Sequence, residues 1–281
     1  MLAAQVALDR AGFSTGEIDG RSGQNVQRAL SAFQQSHQLS PTGQMDDATW
    51  KQLTSAGGDV PPLVEYTLTA ADLAGPFTPD IPPKLPDQAA LDELNYRTPL
   101  EAIAERFHSS PALLQQLNPQ ATFQQAGERI MAPNVANASP TSPAQDITVF
   151  VTKSTSALTI EDAGGRILLH APVTSGSVHD PLPIGTWKVN GVQRNPKFHY
   201  NPELFWDATA GDRKATLQPG PNNPVGIVWI DLSKPHYGIH GTPEPSKIGH
   251  VESHGCVRLT NWDADRVAQW VKPGTRVVFR E

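Results

Sequence analysis

Cys256 is the only cysteine of the 281-residue chain, within the run Ser253-His254-Gly255-Cys256-Val257-Arg258-Leu259. A second histidine, His240, lies upstream in Ile239-His240-Gly241-Thr242. A thiol attacks as its thiolate, so a lone cysteine with histidines available is a candidate acyl-transfer nucleophile with imidazole as its base. Such chemistry also needs donors for a developing oxyanion. Gly255 lets the backbone approach a substrate, and its N–H together with that of Cys256 can form such a pair. His254 and Arg258 each stand two residues from Cys256 and share its face on an extended strand. That gives His254 an orienting or substrate-contacting role and lets Arg258 hold a substrate carboxylate bidentately. Ser253 is a further candidate substrate contact. Two histidines and a cysteine are also a zinc-type donor set, which the spacing neither forbids nor favours. No metal or cofactor is expected.

The elements that must position these residues fall into three segments. After the linker-like Asn137-Ala138-Ser139-Pro140-Thr141-Ser142-Pro143-Ala144, the rhythm becomes one of short β-branched and aromatic runs. Ile147–Thr152, Ala157–Glu161, Arg166–Val173, Gly185–Val189, Gly226–Asp231 and Arg276–Phe279 read as strands of a mainly-β sandwich or barrel over 146–281. One helix, Asp263–Val271, is expected there, with Asn261 as its N-cap. Between them, Gly191–Asn223 has no sustained strand period but carries Tyr200, Phe205 and Trp206. A loop this long is a lid or binding element, so Tyr200 and Trp206 are placed at the cleft. Trp229, Trp262 and Trp270 read as core, and His179, His199, His236 and His250 as ordinary surface or loop residues.

Upstream, Val26, Ala29, Leu30 and Phe33 form one stripe of an amphipathic helix in a small helical domain over 1–55, and Asp46 caps a helix carrying Trp50 and Leu53. Such a unit is marginal on its own. A middle α/β unit over 63–135 begins in proline-rich sequence. It then offers a capping box at Thr98-Pro99-Leu100-Glu101, a second helix from Ser110-Pro111 to Asn118-Pro119, and a closing strand at Ile130–Pro133. Residues 136–145 are the linker.

The net charge of −6 comes without a face-sized basic cluster, so nucleic acid is not an expected partner. No apolar run approaches the roughly 18 residues of a membrane span, and one cysteine permits no intrachain disulfide. The first residues lack the basic and apolar regions of a secretory signal.

The block from Ile239 to Leu259, with Pro183-Ile184-Gly185-Thr186-Trp187, Asn223-Pro224-Val225-Gly226 and Gly274-Thr275-Arg276-Val277, resembles the YkuD-type L,D-transpeptidases. Leu8-Asp9-Arg10-Ala11-Gly12-Phe13, Ile18-Asp19-Gly20-Arg21-Ser22-Gly23 and Ala29–Gln34 resemble the three-helix peptidoglycan-binding domain. Leu117-Asn118-Pro119 and Gly127-Glu128-Arg129-Ile130 are similar to a LysM-type glycan-binding module, although Arg97-Thr98-Pro99 replaces its usual Gly-Asp-Thr. The first resemblance implies that Cys256 is the nucleophile, that His240 on a separate strand is its base, and that the Gly241 carbonyl fixes the imidazole. It also implies a peptidoglycan stem peptide as acyl donor, with release of D-Ala. The acceptor is then an amine, from a second stem or a lipoprotein lysine, and the compartment is the periplasm or another site beyond the cytoplasmic membrane. Water as acceptor makes an L,D-carboxypeptidase instead, and a degenerate site leaves a non-catalytic wall-binding protein.

Overall fold

The computed structural model describes residues 1–57, 60–135, 146–209, 211–253 and 255–281. The expected linker at 136–145, and His254, lie outside the described residues.

Three helices open the chain: α1 (Leu2–Arg10), α2 (Gln24–Ser36) and α3 (Asp47–Gly57). The stripe Val26, Ala29, Leu30 and Phe33 is buried together with Leu8, Phe13 and Leu53. Asp46 caps α3, its Oδ1 accepting the Thr49 N–H at 2.7 Å. This small core is completed from outside by Ile167 of the C-terminal sheet.

The middle unit runs β1 (Leu63–Thr67), α4 (Ala70–Leu73), α5 (Leu85–Gln88), α6 (Pro99–Arg106), α7 (Pro111–Leu117) and β2 (Arg129–Pro133). β1 and β2 pair antiparallel, and Ile103, Ala104 and Leu114 from the helices pack with Ile130 and Ala132. Thr98 caps α6 by accepting the Glu101 N–H at 3.2 Å. Glu101, however, reaches back to the N–H of Arg97 rather than of Thr98, so only half of the expected capping box forms. Ser110 caps α7, and Asn118 ends it, its amide donating to Leu114 and Met131 carbonyls at 2.8 Å.

The C-terminal unit holds β3 (Ile147–Thr152), β4 (Ala157–Asp162), β5 (Ile167–Pro172), β6 (Thr174–Ser175), β7 (Gly185–Arg194), β8 (Phe198–Tyr200), β9 (Ala215–Leu217), β10 (Val228–Leu232), β11 (Gly238–His240), β12 (Val257–Arg258), α8 (Asn261–Trp270) and β13 (Arg276–Arg280). The main sheet has the order β5-β4-β3-β13-β7-β10-β11-β12-β6. β7 joins its halves: Gly185–Lys188 pair with β13, and the residues from Val189 onward pair with β10. Val149, Leu158, Ile160 and Phe279 from one half share a core with Val228, Ile230, Ile239 and Val257 from the other, and with Ala264 and Val267 of α8. The result is the expected mainly-β architecture.

Three details differ from the sequence reading. β7 continues to Arg194, and the stretch taken as strandless contains the β8–β9 hairpin. α8 begins at Asn261, because Thr260 rather than Asn261 caps it, accepting the Asp263 N–H at 3.2 Å. The Asn261 side chain is thereby released for another use.

Both upstream units dock on the C-terminal unit. Phe13 bridges to His170 of β5, the edge strand, with Ser14 N–H donating to His170 O and His170 N–H to Gly12 O, each at 2.9 Å. An edge strand is thus covered rather than left open. Leu94 of the middle unit enters a cluster with Tyr200 and Leu217 on the β8–β9 hairpin, and its N–H donates to Pro219 O at 2.9 Å.

Candidate active site

β11 and β12 run parallel, with Ile239 opposite Val257 and His240 opposite Arg258. Ile239 and Val257 both point into the core. Alternation therefore sends His240, Arg258 and Cys256 to the other face of the sheet. Two separate segments thus bring an imidazole, a thiol and a guanidinium to one surface.

His240 is 4% exposed, and its Nδ1–H donates to the Gly241 carbonyl at 2.7 Å. A carbonyl can only accept, so this bond places the proton on Nδ1 and leaves Nε2 with a free lone pair. Burial, then the Arg258 charge, push the imidazolium pKa down to about 3, against the opposing effect of the Gly241 bond. The ring is neutral throughout the physiological range, with Nε2 unprotonated. Trp229 of β10 stacks on it, with centroids 5.4 Å apart and planes at 22°.

Cys256 is half-buried, with Sγ 3.7 Å from the His236 carbonyl. Burial raises its pKa, while the Gly238 N–H and Arg258 act in the opposite direction without prevailing. The resting pair is thus a neutral thiol and a neutral imidazole. Arg258 is itself disfavoured as a cation by burial, and is supported by Cys256, Glu244 and Asp207. Its charge acts on both members of the pair.

Gly255 is buried at φ +96°, a conformation L side chains rarely adopt, and an added Cβ would lie 2.8 Å from the Tyr237 ring. Gly241 is equally constrained by packing, since a Cβ there would strike Asn261 Oδ1. Trp206 is 57% exposed and stacks on His179 with centroids 4.5 Å apart, so one residue read as ordinary surface supports the expected cleft residue.

Two of the expected substrate contacts are buried. Ser253 is 3% exposed, its hydroxyl donating to Cys256 O and accepting from Gly176 N–H, each at 2.7 Å. It braces the Cys256 loop against the end of β6. Tyr200 is 5% exposed within the Leu94 cluster, and its hydroxyl donates to Asp212 at 3.2 Å. It anchors the hairpin to the middle unit. His254 lies outside the described residues.

The sequence reading missed Trp229, Tyr237 and the His236 carbonyl. Trp229 sits in a strand of alternating burial, where a period-two pattern cannot tell a core indole from one stacked on a base. His236 has φ +68°, a local geometry with no sequence signature at a histidine. Among the described residues, no group of three or more His, Cys, Asp or Glu side chains is arranged to hold a metal ion.

Comparison with known proteins agrees with this geometry. Residues 146–279 match the L,D-transpeptidase catalytic domain, YkuD, and residues 1–53 match the peptidoglycan binding domain family. The chain is 32% identical over 182 residues to the L,D-transpeptidase YkuD of Bacillus subtilis, covering 64% of this chain and 92% of that one. It is 33% identical over 180 residues to the Bacillus licheniformis YkuD, covering 63% and 91%. The Escherichia coli L,D-transpeptidase YbiS is 32% identical over 119 residues, 41% of this chain and 39% of that one. A sheet that aligns a buried neutral histidine with a cysteine strand, and a relative matched over nearly its whole length, lead to one conclusion: the chain belongs to the L,D-transpeptidase family.

Proposed function

We propose that Cys256 attacks the carbonyl of the L-centre of meso-diaminopimelate in a tetrapeptide stem of peptidoglycan. His240 Nε2 takes the thiol proton, and the N–H groups of Gly255 and Cys256 receive the oxyanion. The tetrahedral intermediate collapses to a thioester, and D-Ala leaves with a proton returned by His240. An acceptor amine then gives up a proton to His240 and displaces the thiol, forming an amide. Arg258 holds the donor carboxylate, and Trp206 and His254 contact the stem. The observation that carries this reading is the Nδ1–H bond to Gly241, which presents a neutral, unprotonated Nε2 on the strand beside the nucleophile.

The amine belongs to a second stem, giving a cross-link, or to a lipoprotein lysine. The strand–helix–helix–strand order of β1, α6, α7 and β2 supports reading the middle unit as LysM-like, with the α4–α5 stretch inserted after its first strand. Such a substrate lies beyond the cytoplasmic membrane, with the periplasm as first choice. Among the described residues, no helix is long and apolar enough to cross a membrane.

Muropeptide analysis after incubation with tetrapeptide-rich sacculi tests this. New cross-linked dimers support a transpeptidase, tripeptides alone a carboxypeptidase, and unchanged profiles a binding protein. A carbapenem adduct in the intact mass, absent from Cys256→Ala, tests the nucleophile. Retention of Cys256→Ala on sacculi, lost on deleting 1–135, tests the upstream units as wall binders. Cell fractionation tests the compartment, and a purely cytosolic pool would contradict it.

A further inference from the structure

We infer that Glu105, on helix α6 of the middle unit, is a positioning residue for the Cys256–His240 pair, acting through Asn261 on the peptide whose carbonyl orients His240. This rests on the reading of Cys256 and His240 given above.

Asn261 is free to take this part because Thr260 caps α8 in its place. Its side-chain amide is wedged between two glycines: a Cβ at Gly226 or at Gly241 would strike Oδ1. Oδ1 accepts the Ile227 N–H at 3.3 Å. Nδ2 donates to Glu105 Oε1 at 3.0 Å and Oε2 at 3.2 Å, and to Pro221 O at 3.1 Å. An asparagine amide has two orientations differing by a half-turn, and its neighbours must choose between them. The Pro221 carbonyl only accepts, as does Glu105 when ionised, and the Ile227 N–H only donates, so together they hold Nδ2 on the Glu105 side and turn Oδ1 toward Ile227 and Gly241. The Gly241 carbonyl is the acceptor for His240 Nδ1–H at 2.7 Å. A chain of packed and hydrogen-bonded groups therefore runs from the middle unit to the base.

Glu105 is itself built into place. The Tyr96 hydroxyl donates to Oε1 at 2.9 Å, and the neighbouring Glu101 accepts from Asn222 at 3.1 Å. Both carboxylates thus bond to the segment from Pro221 to Asn222 or to the first turn of α8, and the middle unit closes the rear of the site. Truncating Glu105 leaves Pro221 as the sole fixed acceptor for Nδ2. The amide is then held by fewer partners, and the Gly241 peptide rests against a less firmly placed side chain.

The test is the rate of Cys256 acylation by a carbapenem at pH 7, followed by intact mass, in full-length wild type, Glu105→Ala, Glu105→Gln, His240→Ala and the double variant Glu105→Ala/His240→Ala, each with its Tm. Glu105→Ala is expected to slow acylation about tenfold, and Glu105→Gln, which keeps an acceptor for Asn261, to stay within about twofold of wild type. In the His240→Ala background the Glu105→Ala loss should vanish, because a residue acting through His240 has nothing left to position. A wild-type rate in Glu105→Ala overturns the inference, as does an undiminished tenfold loss in the double variant, which would mark a purely structural contact. Should Glu105→Ala not fold, Asn261→Ala carries the same expectations. A His240→Ala variant that acylates like wild type would instead defeat the underlying assignment of the base.

Discussion

Two carboxylates reach helix α8 from the upstream units, and their partners make them different devices. Asp9 of α1 accepts both arms of Arg266, at 2.8 and 2.9 Å, and lies 3.1 Å from His108 Nδ1 of the middle unit. Burial alone would raise its pKa, but Arg266 and then His108 hold it well below the usual carboxylate range. Glu105 meets only neutral donors, Asn261 and Tyr96. Burial raises it, the two donors offset this in part, Glu101 adds to the rise, and the carboxyl is pushed up to about 7. A buried carboxylate given a cation is a clamp between domains. The same group given an amide fixes a geometry and stays close to its own titration.

The largest effect expected from this contrast is at the clamp. Arg266→Ala leaves Asp9 buried without its bidentate partner, and breaking one side of a buried pair costs about 3–5 kcal/mol. Chemical denaturation should show that loss, and a change under 1 kcal/mol would mean that the three units do not depend on the junction. The second test uses pH. Asp9, with its depressed value, contributes stability above its unfolded value of 3.8 and loses it as pH falls below that. Glu105 has the opposite sign: its contribution is full below the unfolded 4.5 and is lost as pH rises through about 7. The stability of wild type relative to Glu105→Gln should therefore fall between pH 4.5 and 8, by at most about 3.4 kcal/mol at 1.36 kcal/mol per pKa unit. Glu17, also raised to about 7, is common to both proteins and cancels in the difference. A flat difference would remove the contrast. The smallest effect lies far from both carboxylates. Trp206→Ala should slow donor turnover a few-fold while stability stays within about 0.5 kcal/mol, as for an exposed side chain. A larger loss of stability would place Trp206 in the fold rather than over the cleft.

Much of the C-terminal core could be read directly. Ile147–Thr152 and Arg276–Phe279 show the β-branched content of strands, and both recur as β3 and β13. β11 and β12 could not be read this way, because two or three residues carry no period; only the chemistry of His240 and Cys256 drew attention to them. The engaged hydroxyls of Ser253 and Tyr200 could not be read either, because their partners, Gly176 and Asp212, are brought to them by the fold. Glu105 was invisible for the same reason, since on its own helix it is one more polar residue. Contacts between units leave no local pattern, and this site is backed by one.

The most direct test of the central claim is the pH profile of Cys256 acylation from about pH 5 to 10, in wild type and His240→Ala. Cys256 is the only thiol, so its adduct reports the site alone. With His240 neutral down to about 3, wild type should show no loss of rate near the ordinary histidine value of 6.5. His240→Ala should be slower by on the order of 10²-fold at pH 7, recovering in part only toward the alkaline end of the profile, because burial holds the Cys256 thiol above its ordinary value of 9.0. His254→Ala should be milder. If His254→Ala alone shows the pH-rescuable loss while His240→Ala keeps the wild-type rate, the base has been assigned to the wrong histidine and the account fails at its centre.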